Sequence, residues 1–232
     1  MNHQANSLQG IEILSSLSPD ELAAVEKACS WKSYSAQEQI IDRQSESSDV
    51  FFIVSGRTRV ILYSLSGREV TLDDLDAGSY FGELAAIDGQ PRSTSVMALS
   101  ATSVATLPPS QFLEIVSRHP EMAVKVMKRL AWVIRTSNER IMDLSTLGAN
   151  NRVHAELLRQ ARLSMSEDEG FAVISPIPVH SDVASRVSTT RETVARVFSN
   201  LTRQGVIERQ KTSLLIRDLD LLQEMVEDVR GE

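Results

Sequence analysis

The middle of the chain shows a repeating pattern of short apolar segments. Between Trp31 and Pro108 these segments recur at close intervals, and glycines separate them. Segments of this length and spacing predict β-strands, and several in succession predict a small antiparallel roll or barrel. The predicted strands are Val50–Val54, Thr58–Tyr63, Glu69–Leu75, Ser93–Ala98 and Thr102–Leu107, with a hairpin turn at Ser66-Gly67.

Helices are predicted on both sides of these strands. Ser18 has the side chain of an N-cap, and Pro19 suits the first position of a helix. After the strands, Ser110 is predicted to cap a helix that ends near Arg118, because Pro120 disfavours its continuation.

A long helix is predicted from Glu121 to Leu147. Its apolar residues repeat at spacings of three and four, which is typical of a coiled-coil seam, so residues 121–147 are predicted to join two copies of the chain. The seam consists of Met127, Leu130, Ile134, Ser137, Ile141 and Leu144. Ser137 is its polar member, and one interpretation is that it only sets the register of the two helices.

The C-terminal part of the chain predicts a winged helix-turn-helix. Residues 148–151 interrupt the helical pattern and predict a hinge, with Asn150 or Asn151 capping a helix that runs to Ser164. The acidic stretch Ser166–Gly170 predicts a loop. The remaining elements are helices at Asp182–Val187 and Arg191–Gln204 around a turn at Ser188–Thr190, wing strands at Val206–Arg209 and Leu214–Ile216, and a closing helix at Asp218–Arg230.

These elements indicate an α+β protein in three parts. Residues 1–120 are predicted to form an antiparallel β-roll domain, 121–148 the dimerisation helix and hinge, and 149–232 the winged helix-turn-helix domain. At 232 residues the chain is long enough for more than one compact core.

The second helix of the predicted helix-turn-helix has two different faces. At 100° per residue, Val194, Val197, Phe198 and Leu201 fall on one side, while polar residues cover the opposite side. The polar side consists of Arg191, Glu192, Arg196 and Ser199 around the small Ala195. A capping box between Thr189 and Glu192 is the alternative explanation for Glu192.

Charge is distributed unevenly along the chain. The net formal charge is −7, yet the segment from Pro178 to Arg217 contains seven basic residues and only three acidic ones. A basic region on an acidic body is the expected feature of a specific DNA-binding domain.

Composition excludes several other classes of protein. The single cysteine, Cys29, excludes an intramolecular disulfide framework and an all-cysteine metal site. Residues 1–10 lack the apolar core of a signal peptide, and no apolar run is long enough to cross a membrane, so a cytoplasmic protein is expected. The four histidines show no pairing, and no nucleophile–base motif or metal-ligand cluster indicates an enzyme.

The stretch Tyr80–Val96 combines residues suited to a sugar phosphate. Gly82 allows the backbone to approach a ligand, and the helix start at Glu83 and Leu84 offers free N–H groups to an anion. Arg92 can bind that anion with its forked guanidinium, and Ser93 and Thr94 add hydroxyl donors. Glu83 can accept hydrogen bonds from sugar hydroxyls. The alternative is an ordinary ion pair between Glu83 and Arg92.

This stretch closely resembles the phosphate-binding cassette of cyclic-nucleotide-binding domains, over Phe81–Leu84 and Arg92–Val96. A second resemblance concerns Thr136 and Ser137, because cAMP-responsive regulators of the CRP/FNR superfamily carry a Thr-Ser pair on the dimerisation helix that contacts the base. The third covers Arg191–Arg196, which resembles the recognition helix of the same superfamily. In these relatives a glycine usually stands at the place of Ser188, so the turn is expected to be slightly strained here.

The resemblance implies a homodimeric transcription regulator gated by cAMP, or by cGMP, with RNA polymerase as a partner. It also implies a double-stranded DNA site with an inverted repeat of TGTGA-like half-sites, contacted by Arg191, Glu192 and Arg196. Thr190, Ser199 and Lys211, the last at the wing tip, complete the expected DNA contacts. The alternative is a regulator on the same scaffold gated by another small effector, by redox state or by a gas.

Overall fold

The structure is a computed structural model that describes residues 7–65, 67–164 and 170–230. The chain forms two compact units, and the boundary between them lies inside a helix, between Val133 and Ile134. Ser66 of the predicted hairpin turn and most of the predicted acidic loop at 166–170 lie outside the described residues.

The N-terminal unit is an antiparallel β-roll, as the strand pattern predicts. One sheet has the strand order β1-β8-β3-β6 and the other the order β2-β7-β4-β5. The strands are β1 (Ser30–Tyr34), β2 (Gln39–Ile41), β3 (Val50–Ser55), β4 (Arg57–Tyr63), β5 (Glu69–Asp76), β6 (Tyr80–Phe81), β7 (Ser95–Ala98) and β8 (Thr102–Leu107). Strands β4 and β5 pair from Arg57↔Asp76 to Tyr63↔Glu69, which confirms the predicted hairpin.

Three of these strands are absent from the sequence prediction. Strands β2 and β6 contain only three and two residues, and in β1 only Tyr34 is buried, so none shows a clear apolar alternation. The predicted start of β7 at Ser93 is wrong, since pairing begins at Ser95. The buried Ser95 hydroxyl accepts a hydrogen bond from the Arg43 backbone N–H at 2.9 Å, which anchors the strand there.

Among the described residues, four helical segments lie wholly within the N-terminal unit: a 3-10 helix (Glu12–Leu14), α1 (Pro19–Ala28), α2 (Glu83–Asp88) and α3 (Pro109–Arg118). The predicted cap of α1 is confirmed, because Ser18 and Glu21 form a reciprocal capping box. Ser110 is not the cap of α3. Pro108 takes the N-cap position and Pro109 the first helical position, where a proline loses no hydrogen bond.

Helix α4 (Pro120–Thr146) is continuous across the boundary of the two units. It begins one residue earlier than predicted, at Pro120 itself, because proline suits the first turn of a helix. Among the described residues, no helix combines the length and apolar character needed to cross a lipid bilayer.

The C-terminal unit contains a winged helix-turn-helix, as predicted. Its elements after α4 are α5 (Ala149–Leu163), β9 (Ala172–Ile174), α6 (His180–Arg186), α7 (Arg191–Arg203), β10 (Ile207–Arg209), β11 (Leu214–Ile216) and α8 (Leu219–Arg230). The sheet has the order β10-β11-β9, so the short strand β9, absent from the prediction, supports the wing. Val194, Val197, Phe198 and Leu201 of α7 enter its buried core, as the helical period predicts.

Two boundaries in this unit differ from the prediction. Gly148, rather than Asn150 or Asn151, is the N-cap of α5, and both asparagines lie inside the helix. Helix α6 begins at His180, two residues earlier than predicted, with the extended Val179 before it. Boundaries of this kind depend on backbone angles that the apolar period does not determine.

Candidate functional site

The cassette begins where strand β6 ends against β3. Phe81 pairs with Phe51, and their rings stack with centroids 5.0 Å apart. Gly82 follows with φ of 87°, in the left-handed region, and leads directly into α2 at Glu83. A Cβ atom at Gly82 would lie 2.7 Å from Arg92 Nη1 and 2.9 Å from the Asp49 carbonyl oxygen. Glycine is therefore required here both by the backbone angle and by the close approach of Arg92.

The Arg92 side chain lies against the backbone of Gly82 and is only 4% exposed. Its Nε donates to Ser47 Oγ at 3.1 Å, Nη1 donates to the Gly82 carbonyl oxygen at 2.8 Å, and Nη2 donates to the Asp49 carbonyl oxygen at 2.7 Å. All three acceptors are neutral. The alternative interpretation of an ion pair between Glu83 and Arg92 is wrong, since no such pair forms among the described residues.

The guanidinium of Arg92 is consequently a buried cation held in place by neutral groups. Burial lowers the pKa of Arg92, and the negative charges of Asp49 and Glu83 oppose that shift only in part. The Arg92 guanidinium also lies 5.6 Å from the centre of the Phe51 ring. A buried cation without a bonded anion is costly, and a bound phosphate would provide the missing charge.

Glu83, the first residue of α2, is half-buried. Burial raises the pKa of its carboxyl, whereas its own backbone N–H and the positive charges of Arg129 and Arg92 lower it. The net direction is upward, so the carboxylate lies in a site that favours its protonated form. Hydrogen-bond donors from a ligand, such as sugar hydroxyls, would stabilise the charged form instead.

The other cassette residues lie at the surface around these two groups. Ser93 is exposed, Thr94 is half-buried, and Leu84 is 41% exposed. The local sequence did not indicate Ser47 and Asp49, which hold the Arg92 guanidinium. They lie more than forty residues before Arg92, and Asp49 contributes only its carbonyl oxygen, a group that every residue has.

Thr136 and Ser137 lie on the part of α4 that belongs to the C-terminal unit, Thr136 half-buried and Ser137 exposed. The predicted seam along α4 is mostly uncovered in the single chain. Its exposed apolar members are Met127 (58%), Ile134 (60%), Ile141 (60%) and Leu144 (50%). Exposed apolar residues repeated at this spacing are the expected surface of a helix that packs against a second copy.

The turn before the recognition helix has the expected strain. Ser188 has φ of 51°, in the left-handed region that costs a non-glycine residue about 1 kcal/mol. Thr190 is the N-cap of α7, and its hydroxyl accepts a hydrogen bond from the Thr193 backbone N–H at 3.2 Å. The predicted capping box between Thr189 and Glu192 is therefore wrong. It would need Thr189 as the N-cap, whereas the N-cap is Thr190 and the helix starts at Arg191.

Glu192 is left on the exposed face of α7, together with Arg191, Arg196 and Ser199. The pKa of Glu192 is lowered by its own backbone N–H and by the Thr190 side chain, so the carboxylate is charged near neutral pH. Lys211 is exposed between β10 and β11, at the tip of the wing as predicted. The exposed charged side chains of α7 suit hydrogen bonding to base edges in a major groove, and Lys211 in the wing suits a phosphate contact.

His180 lies near Arg191 and Arg209, although the sequence did not indicate it. Its ring lies edge-on to Phe198 at 4.9 Å between centroids. Burial lowers the pKa of His180, and the nearby positive charges of Arg191 and Arg209 lower it further. The sequence analysis missed it because the predicted helix began at Asp182, whereas α6 begins at His180.

The described residues contain no group of three or more His, Cys, Asp or Glu side chains able to hold a metal ion. Cys29 is half-buried, and burial raises the pKa of its thiol to about 12. Its thiol is therefore protonated at neutral pH, which disfavours redox chemistry there.

Comparisons with known proteins match both units. A family model described as a cyclic nucleotide-binding domain matches residues 31–119, and one described as a Crp-like helix-turn-helix domain matches residues 151–225. The cyclic AMP receptor protein of Thermus thermophilus is 28% identical over 218 residues, which are 94% of this chain and 98% of that protein.

Solved structures share the fold over most of the chain. A CooA mutant from Carboxydothermus hydrogenoformans superimposes with a TM-score of 0.80 at 24% identity, covering 95% of each chain. The c-di-GMP responsive global regulator CLP of Xanthomonas campestris has a TM-score of 0.65 at 15% identity, covering 82% of this chain and 94% of that one. At these identities the likeness concerns the fold alone.

Proposed function

The chain belongs to the CRP/FNR family of transcription regulators, and on that premise we propose that it is a homodimer whose DNA binding is gated by a cyclic nucleotide. The family consists of regulators rather than enzymes. The first candidate ligand is cAMP, since the T. thermophilus relative is a cyclic AMP receptor protein, and cGMP is the second.

One observation carries the ligand assignment: the guanidinium of Arg92 is buried, and only neutral oxygen atoms accept its hydrogen bonds. Three of the five N–H donors of an arginine are used in this way, which leaves donors for a phosphate. A cyclic phosphate is an anion whose paired oxygen atoms match the fork of a guanidinium. Arg92 therefore binds the phosphate, together with Ser93, Thr94 and the N–H groups at Glu83 and Leu84.

Glu83 completes the sugar side of the proposed site. Its half-buried carboxylate lacks a bonded cation among the described residues, and a ribose hydroxyl can donate to it. Gly82 provides the close approach of the backbone. The assignment of the base to Thr136 and Ser137 rests on the resemblance to the superfamily, since both have hydroxyls that can serve either purine.

The DNA-binding part of the proposal rests on the exposed face of α7. Arg191 and Arg196 are assigned to guanines, because arginine pairs bidentately with O6 and N7. Glu192 is assigned to a cytosine amino group, and its exposed, charged carboxylate supports this role. Thr190 and Ser199 complete the surface, while Lys211 contacts phosphate. The half-sites are proposed to be TGTGA-like and to form an inverted repeat.

The dimer is proposed to form along the apolar seam of α4, which is exposed in the single chain. Two such helices would bury Met127, Ile134, Ile141 and Leu144 against each other. A two-fold dimer requires half-sites spaced by about one helical turn of DNA, ~10 bp. RNA polymerase is the proposed partner of the DNA-bound form.

Calorimetric titration of the purified chain with cAMP, cGMP and c-di-GMP tests the ligand class. DNA binding to an inverted repeat is then measured with each nucleotide and without any. We expect cAMP to bind once per chain and to strengthen DNA binding about 5- to 150-fold, the usual range of allosteric coupling. Binding of none of the three, or equal DNA affinity with and without them, would contradict the proposal.

A further inference from the structure

A second pocket, of about 320 Å³, opens in the N-terminal unit. Its described walls come from the 3-10 helix, the end of β5, the turn that leads into β6, the first residue of β6 and the first half of α4. They include none of Gly82, Arg92 or Ser93, so the pocket is distinct from the cassette. Ile13 and Leu75 are both buried and give the pocket an apolar side. Its volume is within the range of small-molecule sites.

Three cations of α4 line one side of this pocket: Lys125, Lys128 and Arg129. Residues at these spacings project from the same side of a helix. Lys125 Nζ donates to the Glu12 carbonyl oxygen at 3.0 Å and to Ser15 Oγ at 2.6 Å, which holds the 3-10 helix in place. Glu12 is the acidic residue among the described walls.

Arg129 and Lys128 differ in their partners. Arg129 donates to the Asp73 carboxylate at 2.6 Å, and its guanidinium stacks on the Trp132 ring at 4.5 Å. Lys128 is exposed and forms no hydrogen bond or ion pair with any described residue. The pocket therefore has a surplus of positive charge and one lysine free to bind an anion.

Tyr80 supplies an independent sign of a ligand. Its hydroxyl oxygen is buried and has no hydrogen-bond partner among the described residues, and Tyr80 is one of the residues that line the pocket. Burial raises the pKa of Tyr80, so the hydroxyl remains a neutral donor over the physiological range. A buried hydroxyl without a partner is destabilising, and an acceptor on a bound ligand would satisfy it.

We propose that this pocket binds a small organic phosphate, a monoester with an apolar body. A phosphate monoester carries nearly two negative charges at neutral pH and several acceptor oxygens, which suits the three cations and the Tyr80 hydroxyl. The apolar body lies against Ile13 and Leu75. The site itself does not depend on the proposed function of the cassette.

The pocket is coupled to the cassette through two residues. Tyr80 is the first residue of β6 and precedes Gly82 by two positions, and Arg129 contributes positive charge at Glu83. An anion that draws Arg129 toward the pocket reduces the stabilisation of the Glu83 carboxylate. This coupling rests on the proposed function, and it makes the second ligand a modulator of nucleotide affinity.

Calorimetric titration of the full chain with phenyl phosphate at pH 7.5 tests the site. We expect saturable binding that Lys128→Gln and Tyr80→Phe each weaken about threefold, as the loss of one exposed ion pair or one neutral hydrogen bond does. Lys27→Gln is the matched control, because it removes the same charge from α1, outside the pocket. Absence of saturable binding, or equal affinity in all four proteins, would overturn the proposal.

Competition distinguishes this pocket from the cassette. The apparent Kd of cAMP is measured at increasing phenyl phosphate. A second site predicts a change that reaches a plateau, whereas occupation of the cassette gives a Kd that rises without limit. The unlimited rise would place the phosphate in the cassette and overturn the proposal. If cAMP does not bind at all, the proposed function fails while the phenyl phosphate titration still decides the second site.

Discussion

At the scale of single residues, the candidate site depends on the close approach of Gly82 to Arg92. Gly82→Ala would bring Cβ to 2.7 Å from Arg92 Nη1 at a backbone angle unfavourable for alanine. We expect a loss of stability of about 1–2 kcal/mol and a loss of nucleotide affinity, because Arg92 must move. Gly89→Ala is the matched control, since Gly89 also has a positive φ but no atom within 4 Å. Calorimetry should show weakened binding only in Gly82→Ala; equal affinities would mean that the close approach is not needed.

Glu83 gives a pH-dependent prediction. Its pKa is raised in the folded chain, so the folded state binds this proton more tightly than the unfolded state does. Its contribution to stability is therefore present at acidic pH and lost as the pH rises through the raised pKa. Glu83→Gln removes this loss, and we expect the variant to be more stable than the wild type at pH 7–8 in the absence of ligand.

Urea unfolding between pH 4 and pH 8 measures this effect. The difference between Glu83→Gln and the wild type should shrink as the pH falls through the raised pKa of Glu83 towards the ordinary carboxyl value, about 4. The variant should also bind cAMP about three- to tenfold more weakly, because an amide replaces a charged acceptor. A variant less stable than the wild type at pH 8 would show that the carboxylate is already compensated.

The sequence indicated Arg92 and Glu83 because they lie in one short stretch, where glycine, carboxylate and guanidinium stand at fixed offsets. It did not indicate Ser47 and Asp49, since their contacts to Arg92 are nonlocal and one of them uses only the main chain. Nor did it exclude the ion pair of Glu83 with Arg92. That distinction depends on the direction of the Arg92 side chain, which only the folded structure determines.

At the scale of elements, α7 carries the prediction on base recognition. Glu192 is exposed on this helix, so its carboxylate can reach a base edge although the Thr190 side chain also hydrogen-bonds to it. Glu192→Ala should relax the preference at one base pair by about 1–3 kcal/mol and leave the other positions unchanged. Binding-site selection on the variant measures this, and an unaltered consensus would exclude the base contact.

Lys211→Ala is the comparison for a contact that does not read sequence. Because Lys211 lies at the wing tip, its loss should lower affinity for all DNA sequences and reduce the salt dependence of binding. A change in sequence preference in this variant would contradict a phosphate contact.

Helices α4 and α5 are joined by buried charges in the C-terminal unit. Arg159 donates to the Asp143 carboxylate at 2.8 Å and to the Glu156 carboxylate one turn earlier, and both acids are almost fully buried. Burial alone would lower the pKa of Arg159, but these two carboxylates raise it. Arg186 also lies 3.9 Å from the Glu156 carboxylate.

Arg159→Met should lower the free energy of unfolding by about 3–5 kcal/mol, because it removes a cation that bonds to two buried carboxylates. Arg162→Met is the matched control on the same helix, since the one hydrogen bond of Arg162 to a described residue goes to Gln223 in an exposed position. Urea unfolding should separate the two variants clearly. Similar losses would show that the network contributes no more than a surface contact does.

The types of the longer elements were predictable from the sequence, while their ends were less so. The period of α4 and α7 depends on many apolar residues and is robust to the loss of one. The N-cap of α5, Gly148, makes no side-chain cap bond that the sequence could indicate, and strands as short as β2, β6 and β9 contain too few residues to show any period.

At the scale of the whole molecule, the apolar seam of α4 supports assembly of two chains. Ser137→Ala replaces an exposed hydroxyl of that seam by a methyl group. We expect the dimer to be unchanged or tighter by sedimentation, since a polar group leaves an apolar interface. If Ser137 senses the base, the enhancement of DNA binding by cAMP should fall, within a coupling of about 1–3 kcal/mol.

Ser145→Ala, on the same helix but outside the seam, is the control for that experiment; its hydroxyl bonds to the Ile141 carbonyl oxygen. Unchanged enhancement in Ser137→Ala would leave Ser137 with a role in register only.

The sequence predicted the roll, the long helix and the winged motif because each has its own local pattern. The division into compact units inside α4 has no such pattern, since the helix continues through it without a glycine or proline.

The hydrogen bonds that hold Arg92 also have a consequence for rates. Its guanidinium is fixed by hydrogen bonds to Ser47, Gly82 and Asp49, so capture of a phosphate requires no search by this side chain. Association of the nucleotide should then be governed by diffusion into the cassette, and differences among cyclic nucleotides should lie in how long each remains bound. A regulator built in this way would distinguish its signals by residence time rather than by speed of capture.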